Sequence, residues 1–179
     1  MGIYEENIII KGRHATRMKM LAAKFDGELS QGIFARNLDV YMAAPIVGKV
    51  YGRRAKIDTD VDDSTSIHVE QMNKEMDTLL ANFRTIAMLE KRDEIDIDTR
   101  TSNAFRHDRD DENRKPMDII FEEYVLGGID VLYEKLMENA KNTDDYIVNM
   151  FYFVDEFETQ YKERFDFDAI SELCKVSQK

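Results

Sequence analysis

The sequence predicts an all-α protein, a bundle of about five helices preceded by a short N-terminal strand or extended arm. Only two prolines and eight glycines occur in 179 residues, and apolar residues recur at helical spacing along much of the chain. The hydrophobic content of 43% and the charged content of 34% are typical of a globular domain with a buried core. The single cysteine, Cys174, excludes an intramolecular disulfide and indicates a cytoplasmic protein.

The first predicted element is a short β-branched run at residues 7–11, which ends at Gly12. A strand among helices leaves unpaired edges, so Ile8–Ile10 is expected to need a second copy of the chain or a docking groove. Two helices are predicted next, at 14–25 and 33–51. Pro45 lies inside the second and predicts a kink or a break, because proline lacks the N–H that an interior turn needs.

An acidic segment at residues 58–66 is predicted to be a hinge between a basic N-terminal part, 1–57, and an acidic bundle, 67–179. Residues 92–116 are mostly charged and predict a solvated connection with a short turn at 101–106. Gly127-Gly128 predicts an interruption, or else the close approach of a helix or a ligand. Further helices are predicted by apolar residues at helical spacing: 67–91, 117–140, 144–164 and a short one at 168–176.

Charge is distributed unevenly along the chain. Residues 1–57 carry a net +5 and residues 58–179 a net −16, which together give the total of −11. A basic end on an acidic protein can bind a polyanion such as nucleic acid, or it can neutralise acidic residues of its own molecule or of another copy. The first alternative predicts that four cations share one surface: Lys11, Arg13, Arg17 and Lys19.

Two sequence patterns partly match known kinds of metal site. An EF-hand loop beginning at Asp58 needs glycine at 63 and glutamate at 69, where this chain has Asp63 and Val69, so an acidic solvated linker is favoured. An HD-type phosphohydrolase site needs a separated histidine, an adjacent His-Asp pair and a later aspartate. Those residue types occur in that order: His68, His107-Asp108, and Asp144 or Asp145.

A ribonuclease motif of the HEPN kind is also matched, by Arg100 and His107, with arginine to bind phosphate and histidine as general acid or base. However, His107 lies in a run of charged residues that cannot form a water-excluding pocket by itself. A surface histidine in a charged loop is therefore the favoured interpretation. The sequence predicts no catalytic residue, no cofactor and no bound metal.

Two segments together resemble a known family. The first is Ile8-Ile9-Ile10 with a basic helix and then Ile33–Val40, and the second is Phe121–Tyr133, which contains a Tyr-x-Leu-x-Gly pattern at 124–128. They are similar to the DndE-like small helical proteins of bacterial DNA phosphorothioation systems. This chain is longer, and its helix at 67–91 looks inserted.

The resemblance implies a helical, DNA-associated, oligomeric protein without catalytic residues of its own. By position it carries DNA contacts to five cations: Lys11, Arg13, Arg17, Lys19 and Arg36. The leading hypothesis is thus a non-enzymatic DNA-associated or assembly protein of a bacterial DNA-modification or antiviral defence system. A purely protein–protein interaction module and an all-α metal-dependent phosphohydrolase or ribonuclease centred on His107 are the alternatives. The expected partners are DNA, other proteins of the system and a second copy, with no membrane.

Overall fold

The computed structural model describes residues 4–24, 32–58, 60–107 and 110–162, and it confirms the predicted mostly helical architecture with a short N-terminal strand. The elements are β1 Ile8–Lys11, α1 Arg13–Leu21, α2 Asn37–Val50, β2 Ser64–Ile67, α3 Val69–Lys74, α4 Met76–Leu89, α5 Ile97–Phe105, α6 Asp111–Leu136 and α7 Thr143–Lys162. Contacts divide the chain into two compact units between Glu134 and Lys135. The hinge predicted at 58–66 lies inside the first unit. The helix predicted at 168–176, and Cys174 within it, lie outside the described residues.

The N-terminal strand finds its partner within the same chain, which corrects the expectation that it needs a second copy or a groove. β1 pairs antiparallel with β2, with Ile8 opposite Ile67 and Lys11 opposite Ser64. β2 begins inside the predicted hinge, at Ser64. Gly12 makes the turn into α1 possible, because its φ is +66° and a Cβ there would lie 2.0 Å from the carbonyl oxygen of Asp58.

The predicted second helix forms, but its bounds differ. α2 begins at Asn37 rather than near residue 33, and Pro45 lies inside it without ending it. The cost of proline in a helix is the hydrogen bond that its missing N–H would have made, and the packing of α2 compensates for that loss. Leu38, Val40 and Ala44 are all at most 1% exposed, so this helix is held by its buried contacts.

Two regions differ from the sequence prediction. One predicted helix is divided into two, and one predicted connection contains a helix. The predicted helix at 67–91 is split at Glu75 into α3 and α4. The predicted solvated connection at 92–116 contains α5, where a turn alone had been expected. Asp96 caps α5 by accepting a hydrogen bond from the backbone N–H of Thr99 at 2.9 Å, and Ala104 buries its inner face.

α6 runs unbroken through Gly127 and Gly128, which corrects the predicted interruption. A Cβ on Gly128 would lie 1.8 Å from the carbonyl oxygen of Ala44, and one on Gly48 would lie 2.2 Å from that of Tyr124. The glycines therefore serve the close approach of α2 and α6, which was the other role considered for them.

Aromatic rings form part of the core of the first unit. Tyr41 of α2 contacts Phe121 of α6 with ring centroids 6.3 Å apart, and Phe121 contacts Phe83 of α4 at 5.4 Å. Edge-to-face and tilted contacts of this kind add to the burial of apolar area. This cluster joins α2, α4 and α6.

The second unit contains the end of α6 and α7. Asn142 and Asp145 cap α7 reciprocally, since Asn142 Oδ1 accepts from the N–H of Asp145 at 3.1 Å and Asp145 Oδ2 accepts from the N–H of Asn142 at 3.2 Å. Lys135 Nζ lies 2.8 Å from Glu156 Oε2. α7 therefore confirms the helix predicted at 144–164, within the described residues.

Candidate functional site

A buried carboxylate collects the cations of α1. Asp130, on α6, is 1% exposed, and its Oδ1 lies 2.5 Å from a guanidinium nitrogen of Arg17. Its Oδ2 accepts from Arg13 at 3.3 Å. His14 is fully buried beside them, with Nε2 3.4 Å from Oδ1, a distance that is long for a hydrogen bond.

The electrostatics of this cluster favour the ionised carboxylate. Burial alone would raise the pKa of Asp130, because a charge is poorly solvated inside the protein. The neighbouring His14 and Arg17 outweigh that effect, so the pKa lies below its ordinary value. Arg17 also lies over the ring of Tyr133, 4.8 Å from its centroid, which orients the guanidinium further.

The other cations proposed for DNA contact also have carboxylate partners. Lys19 Nζ lies 2.5 Å from Asp63 Oδ1, and Thr16 donates its hydroxyl to the same carboxylate at 2.7 Å. Arg36 forms an ion pair with Asp39 at 2.6 Å and with Glu75 at 3.1 Å. These contacts are partly exposed, so each is worth little in stability.

The structure thus brings Arg13 and Arg17 together at Asp130. Lys19 and Arg36 each pair with other carboxylates of the first unit. Lys11 is exposed at the end of β1. DNA contact by these five residues stays a prediction.

A second buried carboxylate lies between the end of α2, α4 and α6. Glu90 is 6% exposed, and its Oε2 lies 2.8 Å from Lys49 Nζ and 2.8 Å from the hydroxyl of Tyr124, which donates to it. Arg54 approaches Oε1 at 3.6 Å. Burial would raise the pKa of Glu90, but hydrogen bonds from Lys49 and Tyr124 lower it below its ordinary value.

Ion pairs continue along the segment that follows α2. Arg53 lies 2.9 Å from Glu134, and Arg54 contacts Glu123 directly. The basic N-terminal part therefore neutralises acidic residues of its own chain, which was one of the two alternatives derived from the charge distribution. In this arrangement the cations hold α1 and α2 against α6.

Among the residues of the two enzyme hypotheses, Arg100 has a structural role. Arg100 donates to the backbone carbonyls of Met88 at 2.7 Å and Ile95 at 3.1 Å. His107 lies 3.2 Å from the hydroxyl of Ser102 through Nε2. His68 is the residue before α3, and Asp108 lies outside the described residues.

Within the described ranges, no group of three or more His, Cys, Asp or Glu side chains is placed to hold a metal ion. Among the helices described, none combines the length and the apolar content needed to span a bilayer.

Sequence reasoning missed Asp130 and Glu90, the two carboxylates around which the cations gather. For Asp130 a signal existed, since it is the one charged residue in the apolar run from Val125 to Tyr133. A lone acid in such a run predicts a buried ion pair. For Glu90, which ends α4 beside Lys91 and Arg92, the local sequence carries no such signal.

Comparison with known proteins gives one result. The family described as DNA sulphur modification system-associated protein 4 matches residues 12–170. No curated protein and no solved structure gives a significant match. The match supports the predicted relation to a DNA-modification system, whereas the finer resemblance to DndE is not confirmed by it.

Proposed function

Because the chain belongs to the DNA sulphur modification system-associated protein 4 family, we propose that it is a non-enzymatic assembly protein of a bacterial DNA sulphur modification system. It would act in the cytoplasm by binding other proteins of that system. The observation that carries this proposal is the set of ion pairs around Asp130. A basic end that is already bound to the acidic half of its own chain is a poor match for phosphates.

Energetics support this assignment. Removing Arg13 and Arg17 from Asp130 to bind a phosphate would leave a carboxylate that is 1% exposed without its cations. Uncompensated buried charges cost several kcal/mol, about 3–5 when one partner of a buried pair is removed. A single phosphate contact in water returns less than that. Arg17 is therefore assigned a structural role.

The non-enzymatic part of the proposal rests on the contacts that Arg100 and His107 already make within the fold. The guanidinium of Arg100 is used by two backbone carbonyls, and a catalytic arginine needs its donors free for a phosphate. His107 is in contact with Ser102, at the end of α5. For Arg100, this structural role accounts for the residue without catalysis.

A co-expression experiment tests the proposal. The chain, with the other proteins of its own DNA sulphur modification system, is purified through a tag on this chain and analysed by size-exclusion chromatography with light scattering. A stoichiometric complex that survives nuclease treatment and about 0.5 M salt is expected, since protein contacts, unlike phosphate contacts, tolerate salt. Recovery of this chain alone, or of a complex that dissociates on nuclease treatment, would contradict it.

Direct DNA contact is the second candidate, and one observation favours it. The side chains of Arg13, Lys19 and Arg36 remain 50%, 44% and 41% exposed despite their ion pairs. Of these, Lys19 and Arg36, together with exposed Lys11, could exchange carboxylates for phosphates at low salt. This candidate requires binding that weakens steeply as salt is added.

Self-association is a further part of the proposal, and α7 supplies a surface for it. Phe151 is 68% exposed, Tyr152 64% and Val154 58%, which is unusual for large apolar side chains. Residues 143–160 contain Asp144, Asp145, Asp155, Glu156 and Glu158 but no lysine or arginine. Two copies joined through α7 would repel each other electrostatically at low salt, so association should strengthen as salt screens that repulsion.

A further inference from the structure

The outer edge of β1 carries backbone groups that do not face β2. Gly12 donates its N–H to the carbonyl of Asp63 at 2.8 Å, one step beyond the β1–β2 register. In an antiparallel pair, every second residue hydrogen-bonds to the neighbouring strand through its backbone. Because Gly12 bonds towards β2, the backbone groups of Ile10 and Ile8 also face β2. The N–H and C=O of Ile9 consequently point away from β2.

A groove of about 590 Å³ runs along this outer edge. Its described lining includes the consecutive residues 4–10 and none from β2, so the groove borders the edge of the strand rather than one face of the sheet. The opposite wall is one face of α6, formed by Arg114, Lys115, Asp118, Phe121 and Glu122. The buried rings of Tyr41 and Phe83 complete an apolar base. Pockets that hold ligands are typically about 300–1,000 Å³.

The walls of the groove carry an excess of negative charge. Glu5, Glu6, Asp118 and Glu122 line it, against Arg114 and Lys115. Arg114 is already paired with Asp118 at 3.1 Å. Burial, and to a lesser extent the neighbouring Glu123, raise the pKa of Glu122, and no cation among the described residues offsets this. Glu122 is thus a carboxylate on the groove wall whose ionised form a positive charge would stabilise.

We propose that this groove binds an extended, positively charged segment of another protein of the same DNA sulphur modification system, which joins the outer edge of β1 as a third strand. The proposal rests on the proposed function and names its contact surface. Ile9 supplies the backbone hydrogen bonds, and the apolar base receives an apolar side chain of the segment. A lysine or arginine of the segment neutralises Glu122.

The walls of the groove limit which kind of segment can bind in it. A strand that enters it has β1 on one side and α6 on the other, so both of its own edges must be free. In a second copy of this chain, β1 is already flanked by β2. β1 of a second copy therefore cannot enter the groove, and the occupant is a lone extended segment, such as a tail or a linker.

The test uses purified full-length protein and an array of overlapping 12-residue peptides that covers the other proteins of its own system. The strongest binders are then titrated in solution by fluorescence anisotropy, beside versions with lysine and arginine replaced by glutamine. We expect the strongest binders to be peptides with a net positive charge. Their glutamine versions should bind about tenfold more weakly, which corresponds to a loss of about 1.4 kcal/mol of binding free energy. Equal binding of both versions would overturn the charge argument.

Ile9→Pro is the decisive variant. It removes the outward N–H but no hydrogen bond to β2, and proline is tolerated on edge strands in that orientation. Ile9→Val, which keeps the N–H, is the matched control. We expect at least about tenfold weaker peptide binding for proline and less than about twofold change for valine. Circular dichroism and thermal melts confirm folding of both variants.

Glu122→Gln gives an independent readout if the proline variant does not fold. It should weaken the positive peptides at low salt and leave their glutamine versions unchanged. Peptide binding that both Ile9→Pro and Glu122→Gln leave intact would overturn the groove as the site. If no peptide binds while the co-expressed complex still forms, this inference fails and the proposed function stands; if neither occurs, both fail.

Discussion

The guanidinium of Arg17, on α1, lies 2.5 Å from the carboxylate of Asp130, on α6, and Arg13 reaches the same carboxylate at 3.3 Å. These contacts connect residues more than a hundred positions apart. They use cations that the charge distribution had suggested for DNA. The basic segment therefore stabilises the fold through these ion pairs. Several predictions depend on Asp130 for this reason.

Replacing Asp130 with asparagine should destabilise the first unit by about 3 kcal/mol, because the change removes the buried carboxylate that pairs with Arg17, whose side chain is 22% exposed. Urea unfolding followed by circular dichroism measures the free energy of unfolding. Glu134→Gln, one turn further along α6, is the control, since the pair of Glu134 with Arg53 is partly exposed. It should cost less than about 1 kcal/mol. Equal effects of the two changes would show that Asp130 has no special structural role.

Stability should fall in acid, and Asp130 should contribute to that fall. Its pKa in the folded protein is below the ordinary value of 3.8, so its stabilising contribution is complete above about pH 4 and is lost as the pH falls through the folded-state pKa. Glu90 acts in the same sense from its ordinary value of 4.5 downward. The difference in unfolding free energy between the natural protein and Asp130→Asn should therefore be largest near pH 7 and shrink towards pH 3. A constant difference would contradict this.

Gly128→Ala should destabilise the protein although alanine favours helices by about 1 kcal/mol over glycine. The new Cβ would lie 1.8 Å from the carbonyl oxygen of Ala44, so α2 and α6 must separate. We expect a net loss of about 2 kcal/mol, measured by urea unfolding. Ile119→Ala, at a position of α6 that is 51% exposed, should change stability by less than about 1 kcal/mol. A stabilising Gly128→Ala would mean that the two helices are not in close contact.

The sequence predicted well those features that depend on local periodicity. The apolar positions of α4, α6 and α7 recur at helical spacing, and all three helices form where this pattern occurs. α5 is not indicated by the sequence pattern because its surroundings are highly charged, although Asp96 is a favourable N-cap residue. The apolar pattern does not indicate this nine-residue helix, because Ala104 is its single buried residue.

Features that depend on distant contacts could not be predicted. The pairing of β1 with β2 joins residues more than fifty positions apart, and neither strand is long enough to be recognised by its alternation. Paired glycines usually weaken a helix, but here close tertiary contacts require them: Gly128 lies against Ala44 of α2, and Gly127 lies against Arg53 in the segment after α2. The five proposed DNA contacts were chosen by charge and by resemblance, and charge alone does not reveal which carboxylates lie opposite.

The exposed aromatic residues of α7 predict salt-dependent self-association. Light scattering should show a larger average mass at about 0.5 M salt than at 0.05 M, because screening weakens repulsion between acidic helices. Replacing Phe151 and Tyr152 together with serine should reduce the mass to that of a monomer. Val148→Ser, an exposed position nearby, is the milder control. A monomer at every salt concentration would contradict self-association through this surface.

DNA titration tests the central claim most directly, namely that the basic N-terminal part stabilises the fold and does not bind phosphates. The full-length protein is titrated into a labelled 30-base-pair duplex, and in parallel into single-stranded DNA, at about 50 mM salt, with fluorescence anisotropy as the readout. We predict no saturable binding up to about 50 µM protein, weaker than most non-specific DNA-binding proteins. Low-micromolar binding that weakens with added salt and is lost in Lys11→Gln with Lys19→Gln would contradict the account and establish DNA contact instead.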